Sequence, residues 1–292
     1  SMRSQSVRLN IAIQNNGRLT GETFALLRSC GLDFDSEGKA LRRPCRNFDL
    51  DILALRDDDI PEYVQNGVAD LGIIGMNLVV EKEARVKTLA RLGFGNCRLE
   101  ICVPEHSDIG SVDDLRGKRI ATSYTSTLAG FLRSEGMECG IIYVSGAVEI
   151  APSLDVADAI CDIVSTGSTA RMNGLRPLHT VLESESVLIA NHRSLADKRT
   201  MKLIDRLMIR IRGSIEARGR RYMMLNAPRA ALENITAIIP SLRSPTVVPL
   251  ADENMVAIHS VIAEDVFWDV MENLKRAGAS DIIVIPIETI IG

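Results

Sequence analysis

The chain has 292 residues, 46% of them hydrophobic and 25% charged, which is enough for two or three domains of a soluble globular protein. A net charge of -4 without a basic stripe argues against nucleic acid as a partner, and the lack of a signal peptide or a transmembrane-length apolar run predicts a cytoplasmic protein without membrane contact. Six cysteines without Cys-x-x-Cys spacing and four scattered histidines argue against a zinc site and predict reduced thiols.

The first third of the chain alternates predicted strands and helices. We predict strands at 9–13, 51–55 and 70–75, and helices at 20–30 and 59–66. This order is typical of a mostly parallel sheet covered by helices, in which ligands bind at the carboxyl ends of the strands.

A second α/β unit is predicted after about residue 95. Its strands are expected at 118–122, 140–144 and 158–164, and its helices at 125–135 and 147–153. We expect segment 180–191 to be one long strand that returns to the first unit. Two crossings imply a hinge and a ligand cleft, so the predicted lobes comprise 1–95 with 180–195, and 96–179.

The remaining chain predicts a linker and a small domain. Apolar residues at spacings of three and four indicate an amphipathic linker helix over 196–218. Residues 219–292 then give strands at 220–226, 245–250, 255–262 and 281–287, with helices at 228–237 and 264–277. The order βαββαβ is that of a ferredoxin-like domain, a module that commonly regulates or oligomerises an enzyme.

One run carries most of the chemical information: Asp158-Ala-Ile-Cys-Asp-Ile-Val-Ser-Thr-Gly-Ser-Thr169. A short buried strand ends in a hydroxyl-rich glycine turn, and unpaired N–H groups where a helix begins can bind a phosphate. Asp158 and Asp162 could accept hydrogen bonds from ribose hydroxyls or hold a hydrated Mg²⁺. The pattern indicates a sugar-phosphate site; the alternative is a polar turn that caps a strand, with solvated acids.

Five motifs occur together and in order. They are Asn15-Asn-Gly-Arg-Leu19, Leu55-Arg-Asp-Asp-Asp-Ile-Pro61, Asp70-Leu-Gly-Ile-Ile-Gly75, Gly117-Lys-Arg-Ile-Ala-Thr-Ser-Tyr124 and the run 158–169. With these motifs, and with the tail motifs at 244–250 and 278–288, the chain resembles the long form of the ATP phosphoribosyltransferase family from about residue 9 to about residue 287.

The resemblance implies a fold and a reaction. The fold would be α/β, with two catalytic lobes of the periplasmic-binding-protein type and a C-terminal ferredoxin-like regulatory domain. The reaction would be the first step of histidine biosynthesis: with Mg²⁺, N1 of ATP attacks C1 of phosphoribosyl pyrophosphate and releases pyrophosphate. Histidine would be the feedback inhibitor, and dimers and hexamers the homo-oligomers.

The resemblance also suggests roles for individual residues. Thr166, Gly167, Ser168 and Thr169 would hold the 5-phosphate, while Asp158 and Asp162 would face the ribose, directly or through Mg²⁺. Because displacement of pyrophosphate chiefly needs positioning and electrostatic stabilisation, we assign no covalent nucleophile and no general base.

The candidates for the ATP site lie mainly near strand ends. They are Arg18, Arg56, Asp70, Gly72, Gly75, Thr122, Ser123 and Tyr124. Arginines could clamp phosphate oxygens bidentately. The alternatives are an ion pair between Arg56 and Asp57, Asp58 or Asp59, a buried strand with a glycine stop at 70–75, and a tyrosine that only packs in the fold.

For the histidine pocket, the family motifs suggest Asn226, Thr246, Val261 and Asp281, which could equally be ordinary domain residues. Two other functions remain open at this point. A nucleobase phosphoribosyltransferase would use the same donor with another acceptor. A non-catalytic two-lobed binding protein would release no pyrophosphate.

Overall fold

The computed structural model describes residues 7–240 and 244–292. The chain divides into two compact units. One comprises the chain up to Ala25 together with Leu32–Ile204, and the other comprises Leu26–Gly31 together with Asp205–Gly292. All six cysteines are free thiols. Within the described ranges, none of the helices combines the length and apolar character needed to cross a bilayer.

The first lobe is built on a six-stranded sheet. Its strands are β1 (Leu9–Gln14), β2 (Arg42–Pro44), β3 (Leu50–Leu55), β4 (Leu71–Gly75), β5 (Lys87–Arg91) and β11 (Ser186–Ala190), in the spatial order β2-β3-β1-β4-β11-β5. Only β3, β1 and β4 run parallel, so the predicted mostly parallel sheet is mixed. Strand β4 lies inside the sheet and is buried at every position, which accounts for its uninterrupted small and apolar sequence.

The helices of this lobe are α1 (Thr20–Ser29), α2 (Ile60–Gln65), α3 (Met76–Glu81) and α6 (His192–Ala196). The sequence predicted α1 and α2, whereas α3 and α6 were not predicted. A 3₁₀ turn over Asp57–Asp59 precedes α2, and Asp59 stands at the helix cap without a side-chain capping hydrogen bond.

The second lobe contains a five-stranded sheet. Its strands are β6 (Cys97–Pro104), β7 (Arg119–Thr122), β8 (Gly140–Tyr143), β9 (Ala159–Val164) and β10 (Leu175–Ser184), in the order β10-β6-β9-β7-β8, and its helices are α4 (Thr125–Ser134) and α5 (Ser168–Met172). Instead of the helix expected at 147–153, a 3₁₀ turn spans Val148–Ile150. Ala147 has a left-handed φ of 47°, and Pro152 lacks the N–H that a continuing helix would need.

The return from the second lobe to the first differs from the prediction. Segment 180–191 is divided between two sheets, because β10 pairs with β6 and β11 pairs with β4 and β5. The crossing therefore falls at Glu185, and residues 180–184 belong to the second sheet. The other crossing precedes β6. The predicted architecture of two α/β lobes joined by two crossings is confirmed.

The C-terminal elements confirm the predicted order βαββαβ. Helix α7 (Lys198–Ala217) is followed by β12 (Arg220–Pro228), α8 (Leu232–Ile238), β13 (Thr246–Pro249), β14 (Met255–Ala263), α9 (Glu264–Arg276) and β15 (Ser280–Pro286). The sheet order is β13-β14-β12-β15, with antiparallel pairs throughout. The core residues Met223, Leu225 and Ile258 share one sheet face with the buried side chains of α8 and α9, as in a ferredoxin-like domain.

Candidate active site

The hydroxyl-rich turn lies directly between β9 and α5. Gly167 has a φ of 76°, a left-handed conformation that a side chain would strain, and it forms the N-cap of α5. The hydroxyls of Thr166 and Ser168 are 2.9 Å apart, and the Ser168 N–H lies 3.5 Å from the Thr166 Oγ1. The turn therefore gathers hydroxyl and N–H donors around a short helix start, as a phosphate site requires.

A cavity of about 80 Å³ opens at this turn. Its lining includes Asp162, Thr166, Gly167 and Thr169, so the structure brings these four predicted residues together. The lining also includes Glu149, which the sequence analysis missed because the 3₁₀ turn that carries it lies nine or more residues before β9. Two carboxylates and a hydroxyl-rich turn thus face one small space.

The electrostatics of Asp162 differ from those of a solvated acid. Burial raises the pKa of its carboxyl above the usual range, and the nearby charge of Glu149 raises this pKa further, whereas a hydrogen bond from the Ile163 N–H lowers it. An ionised Asp162 is therefore costly in the folded protein until a hydroxyl or a cation compensates its charge.

Asp158 occupies the opposite end of β9. Its carboxylate accepts hydrogen bonds from the backbone N–H of Arg119 at 2.8 Å and from the Arg119 guanidinium at 3.2–3.3 Å. These bonds hold the pKa of Asp158 below its usual range. Asp158 and Asp162 are four positions apart in the chain, which along a strand corresponds to about 13 Å. The expectation that both acids face one ribose does not fit this geometry, and Asp158 instead joins β9 to β7.

A larger cavity of about 340 Å³ adjoins the turn. The first lobe contributes Met76, Arg91, Glu185 and Val187 to its lining, and the second lobe contributes Asn96, Cys97, Arg98, Val164, Ser165, Glu183 and Ser184. Val164 and Ser165 line both cavities, so the two spaces are neighbours at the end of β9. A ligand held at the turn would therefore lie next to the cleft between the lobes.

Arg98 is the arginine that the second lobe contributes to this cleft, and it was also missed by the sequence analysis. Arg98 on β6 forms an ion pair with Glu100, with 2.9 Å between Nε and Oε1. Glu100 is only 6% exposed and also accepts a hydrogen bond from Thr180 at 3.1 Å. Charged residues at every second position of a strand, such as Arg98 and Glu100, are no local signal of function. Only the pairing of strands in the sheet brings Arg98 beside the turn.

Thr122 and Tyr124 stand at the carboxyl end of β7, as predicted, but protein groups already occupy their polar atoms. The Thr122 hydroxyl donates to the Cys161 carbonyl at 2.6 Å and accepts from the Tyr124 N–H. The Tyr124 hydroxyl accepts a hydrogen bond from Asn77 of the first lobe, and burial raises the pKa of Tyr124 to about 12. Ser123, between them, is partly exposed.

Two arginines predicted for the ATP site differ in their surroundings. Arg18 donates to the Gly95 carbonyl at 2.8 Å and contacts the Cys97 sulfur, so it lies next to a residue of the large cavity. Arg56 is exposed, and among the described residues no ion pair links it to the neighbouring aspartates. The alternative of a local ion pair at Arg56 is therefore not seen.

Asp70, Gly72 and Gly75 lie at different levels of the first sheet. The Asp70 carboxylate, just before β4, accepts hydrogen bonds from the Asn10 N–H and the Ser194 hydroxyl. These bonds give Asp70 a structural role at the end of β4 that is remote from Gly75. A Cβ on Gly72 would come within 2.8 Å of Val64, which shows that close packing of α2 requires this glycine. Only Gly75 stands at the carboxyl end of β4.

In the C-terminal domain, the four residues predicted for histidine lie at or near one face of the sheet. Asn226 and Val261 alternate with core residues, and Thr246 lies opposite His259, two residues before Val261, so all three point away from the core. The Asn226 amide donates to the Asp281 carboxylate at 3.1 Å. The structure therefore brings two of these residues into contact; their binding of histidine stays a prediction.

The acids at the turn suit a magnesium ion that is held mainly by its substrate. Among the residues described, no cluster of three or more His, Cys, Asp or Glu side chains could hold a metal ion by itself. Mg²⁺ usually keeps several waters and binds through one or two carboxylates together with substrate phosphates. The pair of Asp162 and Glu149 fits that pattern, with hard oxygen ligands on the wall of the turn cavity.

The fold and site together define a class of protein. Two α/β lobes enclose a cleft, and a hydroxyl-rich turn with paired carboxylates opens into it, as expected for an enzyme that binds a sugar phosphate. The ATP phosphoribosyltransferase family model matches residues 56–213, and the model of its C-terminal domain (HisG, C-terminal domain) matches residues 217–289.

Known relatives agree with this match. The chain is 45% identical to an ATP phosphoribosyltransferase of Cytophaga hutchinsonii over 97% of this chain and 98% of that protein. It is 43% identical to one of Parabacteroides distasonis, over 97% and 99%. A solved ATP phosphoribosyl transferase (HisG:HisZ) complex from Thermotoga maritima aligns at 28% identity and a TM-score of 0.60, covering 70% of this chain and 98% of that one.

The chain therefore belongs to the ATP phosphoribosyltransferase family, in its long form with the C-terminal domain, and is an enzyme of the pentosyltransferase class.

Proposed function

We propose that this enzyme transfers the phosphoribosyl group of phosphoribosyl pyrophosphate to N1 of ATP and releases pyrophosphate, the first step of histidine biosynthesis. The observation that carries the proposal is that the two cavities lie side by side, with Val164 and Ser165 in the lining of both. A small cavity with a phosphate-type turn suits the 5-phosphate and ribose, and the larger cleft between the lobes has room for the second substrate.

The residues at the turn would bind and orient the donor. Thr166, Gly167, Ser168 and Thr169 would surround the 5-phosphate with hydroxyl and N–H donors. Asp162 and Glu149 would accept hydrogen bonds from the ribose hydroxyls. This contact would relieve the cost of the Asp162 charge, which burial and the nearby charge of Glu149 otherwise raise. Asp158 has no part in this assignment, since Arg119 holds it at the other end of β9.

The chemistry is a displacement at the anomeric carbon. Positive charge develops on the ribose and negative charge on the leaving pyrophosphate, so positioned charges and dipoles can stabilise the transition state. The carboxylates of Asp162 and Glu149 lie where they could balance the positive ribose. Adenine N1 attacks with a neutral lone pair, so no general base is required. Mg²⁺, held by these carboxylates and by substrate oxygens, would neutralise pyrophosphate charge.

Binding of ATP in the cleft is part of the same proposal. Arg18 and Arg56, on loops of the first lobe, remain the candidates for its phosphates, and Gly75 remains the candidate for close backbone approach. Asp70 and Gly72 are left out, because one bonds the backbone at the remote end of β4 and the other packs against α2. Feedback by histidine through Asn226, Thr246, Val261 and Asp281, and assembly into dimers and hexamers in the cytoplasm, are further predictions from the family.

The reaction is tested by supplying purified enzyme and Mg²⁺ with phosphoribosyl pyrophosphate and one acceptor at a time: ATP, adenine or orotate. We expect pyrophosphate release and a new ultraviolet-absorbing product with ATP alone. Turnover of a free base but not of ATP would indicate a nucleobase phosphoribosyltransferase. Absence of pyrophosphate release with every acceptor would indicate a non-catalytic binding protein.

A further inference from the structure

We propose that Arg98 binds the pyrophosphate group of the sugar donor and that buried Glu100 positions it for this task. The inference rests on the proposed function. It assigns Arg98 to the leaving group, pyrophosphate, because the side chains of the turn are assigned to the 5-phosphate. Arg98 belongs to the second lobe, which also carries the turn, so its contribution does not depend on movement between the lobes.

The position of Arg98 follows from sheet register. On β6 it lies opposite Val164 of β9, and Glu100 lies opposite Asp162. Directly opposite residues of an antiparallel pair project from the same face, so Arg98 stands one same-face step, roughly 6.5 Å along the sheet, beyond the carboxylate assigned to the ribose. Because Val164 lines both cavities and Arg98 lines the larger one, the guanidinium lies where a donor bound at the turn would enter the cleft.

The orientation of Arg98 is fixed from one side only. Its Nε lies 2.9 Å from the Oε1 of Glu100, which is its ion-pair partner among the described residues. The side chain is 49% exposed, so about half of its surface stays open to solvent. A planar guanidinium held at one edge and open at the other is suited to bidentate contact with phosphate oxygens.

Glu100 gives this arginine a buried ion-pair partner. The carboxylate is 6% exposed and lies opposite another acid, an arrangement that costs free energy unless it is paired. Arg98 is the only basic residue that pairs with it among the residues described, and Thr180 supplies a further hydrogen bond. The buried Glu100 carboxylate can thus hold the Nε edge of the Arg98 guanidinium. The other arginine of the cleft, Arg91, is 78% exposed and its 3.5 Å ion pair is with Glu185, so it is less constrained.

The test compares ligands that share or lack the pyrophosphate. Binding of phosphoribosyl pyrophosphate, inorganic pyrophosphate and ribose 5-phosphate, each with Mg²⁺, is measured by calorimetry for the wild type, Arg98→Gln, Glu100→Gln and the double variant. We expect Arg98→Gln to weaken both pyrophosphate-containing ligands by about tenfold to a hundredfold, as for a lost hydrogen bond to a charged group, and to change ribose 5-phosphate by less than about twofold.

Glu100→Gln keeps the size of the side chain and removes its charge. A positioning role predicts about a threefold to tenfold loss for pyrophosphate. It also predicts that the double variant binds no more weakly than Arg98→Gln alone, since Glu100 acts only through Arg98. A merely structural Glu100 would instead weaken ribose 5-phosphate equally and add its loss to that of Arg98→Gln. Arg133→Gln, on an exposed position of α4 in the same lobe and outside both cavities, is the matched control and should stay within about twofold of the wild type. Arg91→Gln, in the cleft itself, should lose less affinity than Arg98→Gln.

Three results would overturn the proposal. Pyrophosphate could bind Arg98→Gln as tightly as the wild type, it could bind Glu100→Gln as tightly or more tightly, or Arg91→Gln could carry the loss instead. If the wild type bound neither phosphoribosyl pyrophosphate nor ribose 5-phosphate, the proposed function would fail together with this inference. Normal binding of both by the wild type and every variant would overturn the inference alone.

Discussion

Glu81 and Thr127 join the two lobes at a helix start. One carboxylate oxygen of Glu81, the last residue of α3, accepts hydrogen bonds from both the backbone N–H and the hydroxyl of Thr127 in the first turn of α4, each at 2.8 Å. The other oxygen accepts from the Ser126 N–H at 2.8 Å. A carboxylate from one lobe therefore supplies the N-terminal cap that α4 lacks in its own sequence.

This contact predicts the effect of Glu81→Ala. Two helix N–H groups lose their acceptor and the dipole of α4 loses a favourable charge, so the free energy of unfolding should fall by about 0.5–2 kcal/mol. Urea denaturation followed by circular dichroism measures the change. Glu62→Ala removes an exposed carboxylate on α2 and is the matched control, expected to stay within about 0.5 kcal/mol of the wild type. Equal stability of Glu81→Ala and wild type would contradict the cap.

Asp162→Asn should stabilise the fold and impair the reaction. Because burial and Glu149 raise the pKa of Asp162, the folded protein binds more protons than the unfolded chain between the ordinary aspartate range and the raised pKa. The unfolding free energy of the wild type therefore falls as pH rises through that window. The variant lacks this loss, so its advantage should be largest near pH 7 and should shrink toward pH 4, while kcat/KM falls.

Unfolding curves at several pH values, with kcat/KM measured at pH 7, check this prediction. A variant that is less stable than the wild type at pH 7 would show that the Asp162 charge is already compensated in the free enzyme.

Asp158→Asn should have the opposite effect. Arg119 lowers the pKa of Asp158, so the stabilisation is present above the unfolded pKa and is lost as pH falls through the lower folded pKa. At pH 7 we expect the variant to be less stable by about 1 kcal/mol, the usual scale for a partly exposed ion pair with backbone hydrogen bonds. The affinity for phosphoribosyl pyrophosphate should not change. A large loss of that affinity, at unchanged stability, would instead indicate that Asp158 contributes to the ribose site.

Thr169→Val tests the phosphate turn. Thr169 lines the turn cavity, and the variant loses one hydroxyl donor to a charged phosphate at nearly constant volume. The affinity for phosphoribosyl pyrophosphate should fall by an amount equivalent to about 1.5–3 kcal/mol, which calorimetry measures. Thr88→Val, on strand β5 of the other sheet, is the control for the same chemical change. Wild-type affinity in Thr169→Val would remove this hydroxyl from the phosphate site.

Asn226→Ala tests regulation by histidine. The Asn226 amide donates to Asp281, so the variant should change the histidine concentration needed for half-inhibition by about tenfold, the scale of one lost hydrogen bond in a coupled site, with kcat and KM unchanged. Steady-state assays with and without histidine measure it. Asn273→Ala, on the exposed face of α9 in the same domain, serves as control. Unaltered inhibition in Asn226→Ala would place the effector elsewhere.

Local patterns in the sequence were sufficient for the strands at 9–13, 51–55 and 70–75, for the βαββαβ tail and for the position of the hydroxyl-rich turn. Strand alternation, the glycine stops and the βαββαβ tail follow from side-chain periodicity and turn chemistry within short windows. The turn at 166–169 lies where its sequence predicts, because the residues that form it are neighbours in the chain. The helix expected at 147–153 fails for a local reason too, since Pro152 and the left-handed Ala147 restrict it.

Tertiary structure alone decided which charged groups share a site. Asp158 and Asp162 look equivalent in sequence, yet opposite ends of one strand give them different partners and pKa shifts of opposite sign. Glu149 and Arg98 reach the turn through strand pairing and loop packing, which bring together groups separated by many residues. The sequence by itself determined the hydroxyl-rich turn and the order of the C-terminal elements, because those depend on contacts a few residues apart. The partner of each charge depended on the register between strands, which only the folded sheets define.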